Sequence, residues 1–348
     1  MSTLMRAPRK WVRLSGRQKV QCPVCGHDHG CMIADDGTAA WCLRVRDGCA
    51  TRRDGTAIEA KGGMGWLHWL EGNARDGARA SSLHAAPPPE RLSRAAIEQM
   101  LKRFRADLVP RKLEKLAGLL GVTVGSLMAY GVGYDTQTGC HTFPMVDGDL
   151  KAVGVRLRST DGKYKGCVRG GRNGLFVPLG FADGAAPIPE ELGCRDAHPL
   201  LLLMPEGPTD CAAATDLGFR AVGRPSNTGG AEQARHLLSR HPRQEVVVVA
   251  DHDGTKWRKG PDGKPTEPFW PGWEGALALA ETILPACGSL KVIKPPEKAK
   301  DLREWVRNRG QAGMLLAVLA EAQPVTREWL RLKRQEVEVW RRRLRPPQ

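Results

Sequence analysis

Three acids in the second half of the chain have the types and spacing for cation chemistry. Asp251 and Asp253 end the apolar run 246–250 with His252 between them, and Glu206 follows a second apolar run, 200–204, after one proline. Side chains alternate along an extended chain, so Asp251 and Asp253 point the same way. Two like charges held together are costly unless a cation sits between them. A strand running into a polar turn is the alternative, since Asp and Gly are common turn residues. The surrounding pattern decides between them. From residue 200 the chain alternates strand, turn and helix: LLLLM, PEGPTDCAAATDLG, RAVG, GGAEQARHLLSRH and EVVVVA. Such alternation predicts a parallel sheet with right-handed crossovers, whose ligand site lies outside the carboxyl ends of the strands. Glu206, Asp251 and Asp253 then collect on one edge, and three carboxylates gathered there suit Mg²⁺.

A second set of metal-binding residues lies near the start. Of ten cysteines, five fall between residues 22 and 49, and Cys22-Pro-Val-Cys25-Gly has the knuckle spacing that lets two thiolates share one zinc. Asp36-Gly37 reads as a two-residue hairpin turn, which sets 35 against 38, 33 against 40 and 31 against 42. Cys31 and Cys42 then face each other at ~5 Å between Cβ atoms. Cys22, Cys25, Cys31 and Cys42 are the expected ligands of a closed, structural Zn²⁺ site, with Cys49 or His27 as substitutes. Five reduced cysteines without metal are the alternative. The scattered Cys140, Cys167, Cys194, Cys211 and Cys287 read as small core residues. Around the ribbon, Lys19, Arg44, Arg46, Arg52 and Arg53 suit nucleic acid, or else form a solvated basic face.

The elements that must hold these groups follow from composition and periodicity. A formal charge of +15 and a pI near 9.6 point to a polyanionic partner. No apolar run approaches the ~20 residues that span a bilayer. MSTLMRAPRKW carries basic residues with no apolar core behind them, so no signal peptide and a cytoplasmic address are expected. The expected organisation is a small β zinc ribbon over 1–72, a proline-rich linker over 73–91, a mixed α+β domain over 92–196, a parallel-sheet α/β domain over 197–310, and a basic helical tail over 311–348.

Within the middle domain, Ile97, Leu101, Phe104 and Leu108 have helical spacing, and 111–135 reads as two helices about a Gly-Val-Thr turn. That pair resembles a helix-turn-helix, but a plain helical pair is the preferred reading. Strands follow about Asp147-Gly148. Arg156, Arg158, Lys163, Lys165, Arg169 and Arg172 then sit among glycines, a composition that lets backbone and cations approach phosphate. An exposed basic hairpin without ligand is the alternative. In the tail, a helix places Trp329, Leu332 and Gln335 or Glu336 on one face, either packed on the preceding domain or holding a partner. The sequence G-x-x-x-x-G-K-[ST] is absent, so a P-loop motor is not expected.

EGPTD at 206–210, followed by DHD at 251–253 after four valines, resembles the signature of the Toprim domain of bacterial-type primases, topoisomerases and some nucleases. A ribbon before a basic segment and Toprim is similar to the primases of bacteria and phages. KDLREW at 300–305 resembles the Lys-Asp element that closes Toprim in primases, and GVGYD and GLFVPLG resemble the connecting domain of primase-like proteins from mobile elements. The resemblance covers most of 20–310. The ribbon departs from it, with one C-x2-C and then Cys31 and Cys42 instead of two knuckles.

The resemblance implies Mg²⁺-dependent synthesis of short RNA primers on single-stranded DNA from nucleoside triphosphates, during replication of a phage, plasmid or other mobile element. It implies Mg²⁺ on Asp251 and Asp253, Glu206 as ligand or general base, and Asp210 orienting a second metal. Arg156, Arg158, Lys163, Lys165, Arg172, Lys300 and Asp301 become template or triphosphate contacts, with helix capping as the other role for Asp210 and Asp301. A helicase must then be a separate protein. Two other classes stay open: a Toprim nuclease or topoisomerase, for which Tyr130, Tyr134 and Tyr164 are the available tyrosines, and a non-catalytic DNA-binding adaptor.

Overall fold

The computed structural model describes residues 11–15, 20–27, 29–35, 37–45, 65–70, 91–181, 201–259 and 265–344. It forms two compact units, one of Met1–Ser93 with Arg156–Gly171, the other of Arg94–Val155 with Arg172–Gln348. Lys19, Asp36, Arg46, Cys49, Arg52, Arg53, Cys194 and the linker expected over 73–91, apart from Arg91, lie outside the described residues.

In the first unit, β1 (Trp11–Ser15), β2 (His29–Ala34), β3 (Ala39–Cys42) and β4 (Trp66–Trp69) form an antiparallel sheet in chain order. β2 and β3 pair Ile33 with Ala40 and Met32 with Trp41, the register expected of a hairpin about residues 36 and 37. β1 and β4 were not legible as strands, being short runs without clear alternation. Leu14, Ile33 and Ala40 pack around Cys22, Cys25, Cys31 and Cys42. So small a core is marginal by itself, and an ion shared by the four sulfurs would add to it.

Helices open the second unit: α1 (Arg94–Ala106), α2 (Pro110–Leu120) and α3 (Val124–Ala129). α1 buries Ile97, Leu101 and Phe104, as their spacing predicts. α2 ends at Gly121, whose φ of 71° a side chain would strain, and Thr123 caps α3 by accepting from Ser126 N at 3.1 Å. A meander of β5 (Gly133–Asp135), β6 (Cys140–Val146), β7 (Ala152–Ser159) and β8 (Lys165–Cys167) follows, the later part of β7 and β8 belonging to the first unit. The β6–β7 turn differs from the expected one. Asp147 O accepts from Leu150 N at 3.0 Å, and Leu150, not Gly148, takes the left-handed conformation with φ 62°.

The sheet that positions the acids is β9 (Leu201–Met204), α4 (Pro208–Asp216), β10 (Arg220–Ala221), α5 (Ala231–Ser239) and β11 (Glu245–Val249), as the alternation predicts. A hairpin, β12 (Lys256–Lys259) and β13 (Pro265–Phe269), precedes α6 (Pro271–Ile283), and β14 (Ser289–Ile293) completes the sheet. Strand order is β10-β9-β11-β14, parallel throughout. Alternate residues Leu202, Met204, Val246 and Val248 join one core with Leu237 of α5 and Ala280 of α6. Leu201, Leu203, Val247 and Val249 on the other face are buried too. Helices on both faces explain four consecutive valines in one strand.

Behind β14 come α7 (Leu302–Arg307), α8 (Ala312–Glu321) and α9 (Arg327–Leu344). Among the described residues, no helix is long and apolar enough to cross a membrane. The buried residues of α9 are Leu330 and Val337, while Leu332 is 45% exposed, so the face expected through Trp329 and Leu332 is corrected. The helix is turned by its ring and charge contacts with α6. Trp340 stacks on Trp270 at 3.9 Å between centroids, Trp329 meets Trp273 edge-on, and Arg341 pairs with Glu274. Leu330→Ala should therefore lower unfolding free energy by about 2–4 kcal/mol, and Leu332→Ala should change it by less than about 0.5 kcal/mol. Denaturant unfolding of the two variants checks the orientation of α9.

Candidate functional site

The four cysteine sulfurs come together as their spacing predicts, all within 4.8 Å of one another and all buried. Cys25 Sγ and Cys31 Sγ are 3.7 Å apart, far beyond a disulfide and close to the separation of about 3.8 Å that tetrahedral zinc–sulfur bonds require. Leu43 N donates to Cys31 Sγ at 3.5 Å, and Arg44 N and Val45 N to Cys42 Sγ at 3.4 and 3.3 Å. Backbone donors aimed at sulfur favour thiolate. Hydrogen bonds from Cys22 and the other thiols hold Cys25 far below the ordinary thiol range, while those shared with Cys25 and Cys22 respectively push Cys22 and Cys42 up. Four such groups cannot all ionise without a cation among them, and their geometry fits one. His27 Nδ1 turns to Cys25 O at 3.0 Å, and His27 is not in the four-sulfur group.

The acids are brought together by topology. From β9 the chain turns outward to β10, returns through α5 across β9 to β11, and so reverses its strand order between β9 and β11. A crevice opens at such a switch point. Val248 pairs with Met204, so Asp251 leaves β11 beside Glu206 leaving β9. Gly207, with φ 82°, and Pro208 at the first helical position turn the chain at once into α4, placing Asp210 in its first turn. Gly272 lets α6 approach the other side, since a Cβ there would sit 2.3 Å from Asp251 O.

α7 closes the cluster. Asp301 caps it, accepting from Glu304 N at 2.7 Å, and Arg303 N donates to Asp210 Oδ1 at 2.9 Å. Both acids thus do capping work, while their charges also reach Asp251. Burial and then the charges of Asp210, Glu206, Asp301 and Asp253 push the Asp251 carboxyl up to about 8. His252 N donates to Lys300 O at 2.6 Å, and His252 Nδ1 lies 2.8 Å from Ala299 O, which ties the segment before α7 to the acid strand. That segment holds Glu297 and Lys298 at φ 54° and 58°, a conformation costly for residues with side chains.

Arg224 and Lys256 were missed in the sequence. Arg224 is 2% exposed and donates to Asn227 O at 2.9 Å and Gly275 O at 3.2 Å. Burial pushes its guanidinium down, against the pull of Glu206 and Asp251. Its place just after β10, on the carboxyl edge, was the available signal. Lys256 Nζ lies 4.0 Å from Asp253 Oδ2. Of the predicted cations, Arg172 and Lys300 belong to the acids' unit and are exposed. Arg156, Arg158, Lys163 and Lys165 belong to the cysteine unit, with Lys163 3.6 Å from Asp161.

Among the described residues, the cysteines are the group whose ligand atoms lie close enough for three or more to share one ion. The carboxylates among the described residues gather without closing into a cage. An all-oxygen set of this openness suits Mg²⁺, which keeps several waters and uses few protein ligands.

No family model matches the chain, and no curated protein matches it. Solved structures similar to it include the DnaG catalytic core, at 16% identity over 66% of this chain and 80% of that one, with a TM-score of 0.46. The zinc-binding and RNA polymerase domains of the Aquifex aeolicus primase match at 14% identity over 67% and 63%, TM-score 0.46. The primase fragment of the bacteriophage T7 primase-helicase matches at 14% over 86% and 98%, TM-score 0.38.

The electrostatics of Asp251 carry a pH signature. Its proton is bound more tightly in the folded than in the unfolded chain, so its stabilising contribution is full below about pH 4 and is lost as pH rises through about 8. In magnesium-free buffer, unfolding free energy should fall across that window. Asp251→Asn, which carries no titrating proton, should flatten the fall, as chemical denaturation at a series of pH values will measure.

Proposed function

We propose that the protein is a DNA primase, a nucleotidyltransferase that uses Mg²⁺ to join nucleoside triphosphates into short RNA primers on single-stranded DNA, in the replication of a phage, plasmid or other mobile element. The observation that carries the reading is the meeting of Glu206, Asp251 and Asp253 at the switch point of a parallel sheet, with Asp210 and Asp301 behind them. The residue pattern EGPTD, DHD and KDLREW, which resembles Toprim, falls on these positions.

In this reading Asp251 and Asp253 hold the cation, and Glu206 is a further ligand or accepts the proton of the attacking 3′-hydroxyl. When bound, Mg²⁺ supplies positive charge to the triphosphate and makes that hydroxyl easier to deprotonate. Asp210 fixes the first turn of α7 through Arg303 N, which keeps Asp301 and Lys300 beside the acids. Lys300 and Arg172 contact phosphate, and Arg156, Arg158, Lys163 and Lys165 follow the template backbone. Zn²⁺ on Cys22, Cys25, Cys31 and Cys42 holds the ribbon as a template-binding module. Strand opening falls to a separate helicase, and no membrane is involved.

Ribonucleotide incorporation on single-stranded DNA with Mg²⁺ tests the reading. Asp251→Asn and Asp253→Asn should each reduce it by roughly a thousand-fold or more while the chain stays folded. Normal synthesis by either variant would remove the site assignment, and Mg²⁺-dependent cleavage without synthesis would replace it with a nuclease. The ribbon has its own measurement. Purified protein should carry one zinc per chain by elemental analysis, released by Cys31→Ser and retained by Cys49→Ser.

A further inference from the structure

The crossover from β11 to α6 is longer than a sheet of this kind needs. Such connections commonly take two to six residues, yet residues 250–270 intervene here, and they include the β12–β13 hairpin. The hairpin pairs Lys256 with Phe269, Trp257 with Pro268 and Arg258 with Glu267. It begins three residues beyond Asp253, after the carboxyl edge of the sheet, and meets the acid site through Lys256.

Its side chains are not those of a mere connection. Lys256, with its side chain 60% exposed, sets Nζ 4.0 Å from Asp253 Oδ2. Alternation puts Arg258 on the same face, where its guanidinium lies over the Phe269 ring at 4.9 Å and 3.3 Å from Glu267. Arg258 also borders a groove of about 580 Å³ whose other charged residues, Arg334, Arg341, Glu274 and Glu338, are of both signs. On the opposite face stands Trp257, 37% exposed, a large indole partly open to water. An acid cluster by itself repels a polyanion. Cations beside the acids, such as Lys256 and Arg258, offset that repulsion.

We propose that the β12–β13 hairpin is a single-stranded nucleic-acid contact beside the acid site, in which Lys256 and Arg258 neutralise backbone phosphates and Trp257 stacks on an unpaired base. The charge on one face and the exposed indole on the other match a strand with phosphates and flat bases. The contact is independent of base identity, since every base has a stacking face. It rests on the primase reading only in that a nucleic-acid strand comes to the acids.

The test is anisotropy of a labelled oligothymidylate with full-length protein in magnesium-free buffer, across a range of salt. Trp257→Ala should weaken binding roughly ten-fold, and Trp257→Phe should bind within about three-fold of the parent. Lys256→Gln should reduce the slope of log affinity against log salt by about 0.7. The unfolding midpoint of Lys256→Gln should not change, since that side chain is exposed, and the midpoint of Trp257→Ala is measured beside its binding so that lost packing is separated from lost stacking. Binding by Trp257→Ala and Lys256→Gln equal to the parent, with the same salt slope, overturns the proposal. So does a Trp257→Phe variant as weak as Trp257→Ala, since stacking would then not be the cause, and so does a parent that does not bind the strand. Primer synthesis by the parent is scored separately. A parent that makes no primers but loses binding on Trp257→Ala keeps the hairpin contact and loses the primase reading. Primer synthesis with unaltered binding by the hairpin variants does the reverse.

Discussion

Repulsion among carboxylates at one edge of a parallel sheet is the constraint around which the second unit is arranged. Asp251 stands in a field of four other acids and is driven towards its protonated form. Nothing local to Asp251 favours that arrangement. It is imposed by the ladder from Glu245 to Val248 on β11 against Leu201 to Met204 on β9, where register is held by buried apolar faces on both sides. A one-residue slip would draw the exposed Glu245 into the buried part of the ladder, so hydrophobic burial sets the positions of the charges. The neighbouring elements then reduce the cost. Asp210 and Asp301 receive backbone N–H groups from the first turn of α7, and buried Arg224 contributes a positive charge from behind.

The cysteine cluster solves a similar problem in a different way. There too, several acidic groups are held closer than they could remain if all were ionised. The sulfurs are buried and receive N–H donors from Leu43, Arg44 and Val45, which makes a closed set with no room for substrate. The carboxylates are more open, and their oxygens do not close around one point. A closed tetrathiolate can stand in for a hydrophobic core in a small β unit. An open oxygen set leaves positions for water and phosphate, the condition a reaction needs.

α9 shows how the rest of the chain supports the open site from a distance. Trp270 precedes α6 directly, and Gly272 of α6 touches the backbone of Asp251. Stacking of Trp340 on Trp270 and pairing of Arg341 with Glu274 hold the beginning of α6 where that contact occurs. The helix therefore bears on the acid strand through α6, although it supplies none of the acids.

Sequence alone determined the parts that follow from local periodicity and short-range spacing. Alternation of strand and helix after residue 200 implied the parallel sheet and the edge from which Glu206, Asp251 and Asp253 emerge. The spacing of Cys22, Cys25, Cys31 and Cys42 about a tight turn implied one four-sulfur cluster, because a hairpin register is fixed by residues close in the chain. Tertiary structure decided what depends on elements far apart. The strand at Ser289–Ile293, the face that α9 buries, the bond from Arg303 N of α7 to Asp210, and the approach of Arg224 to the acids each join segments well apart in the chain. Such contacts are chosen by which apolar faces remain uncovered once the sheet has formed, and that choice has no period along the chain. The positive charge behind the acids was therefore invisible until the strands were ordered, whereas the acids themselves could be read directly.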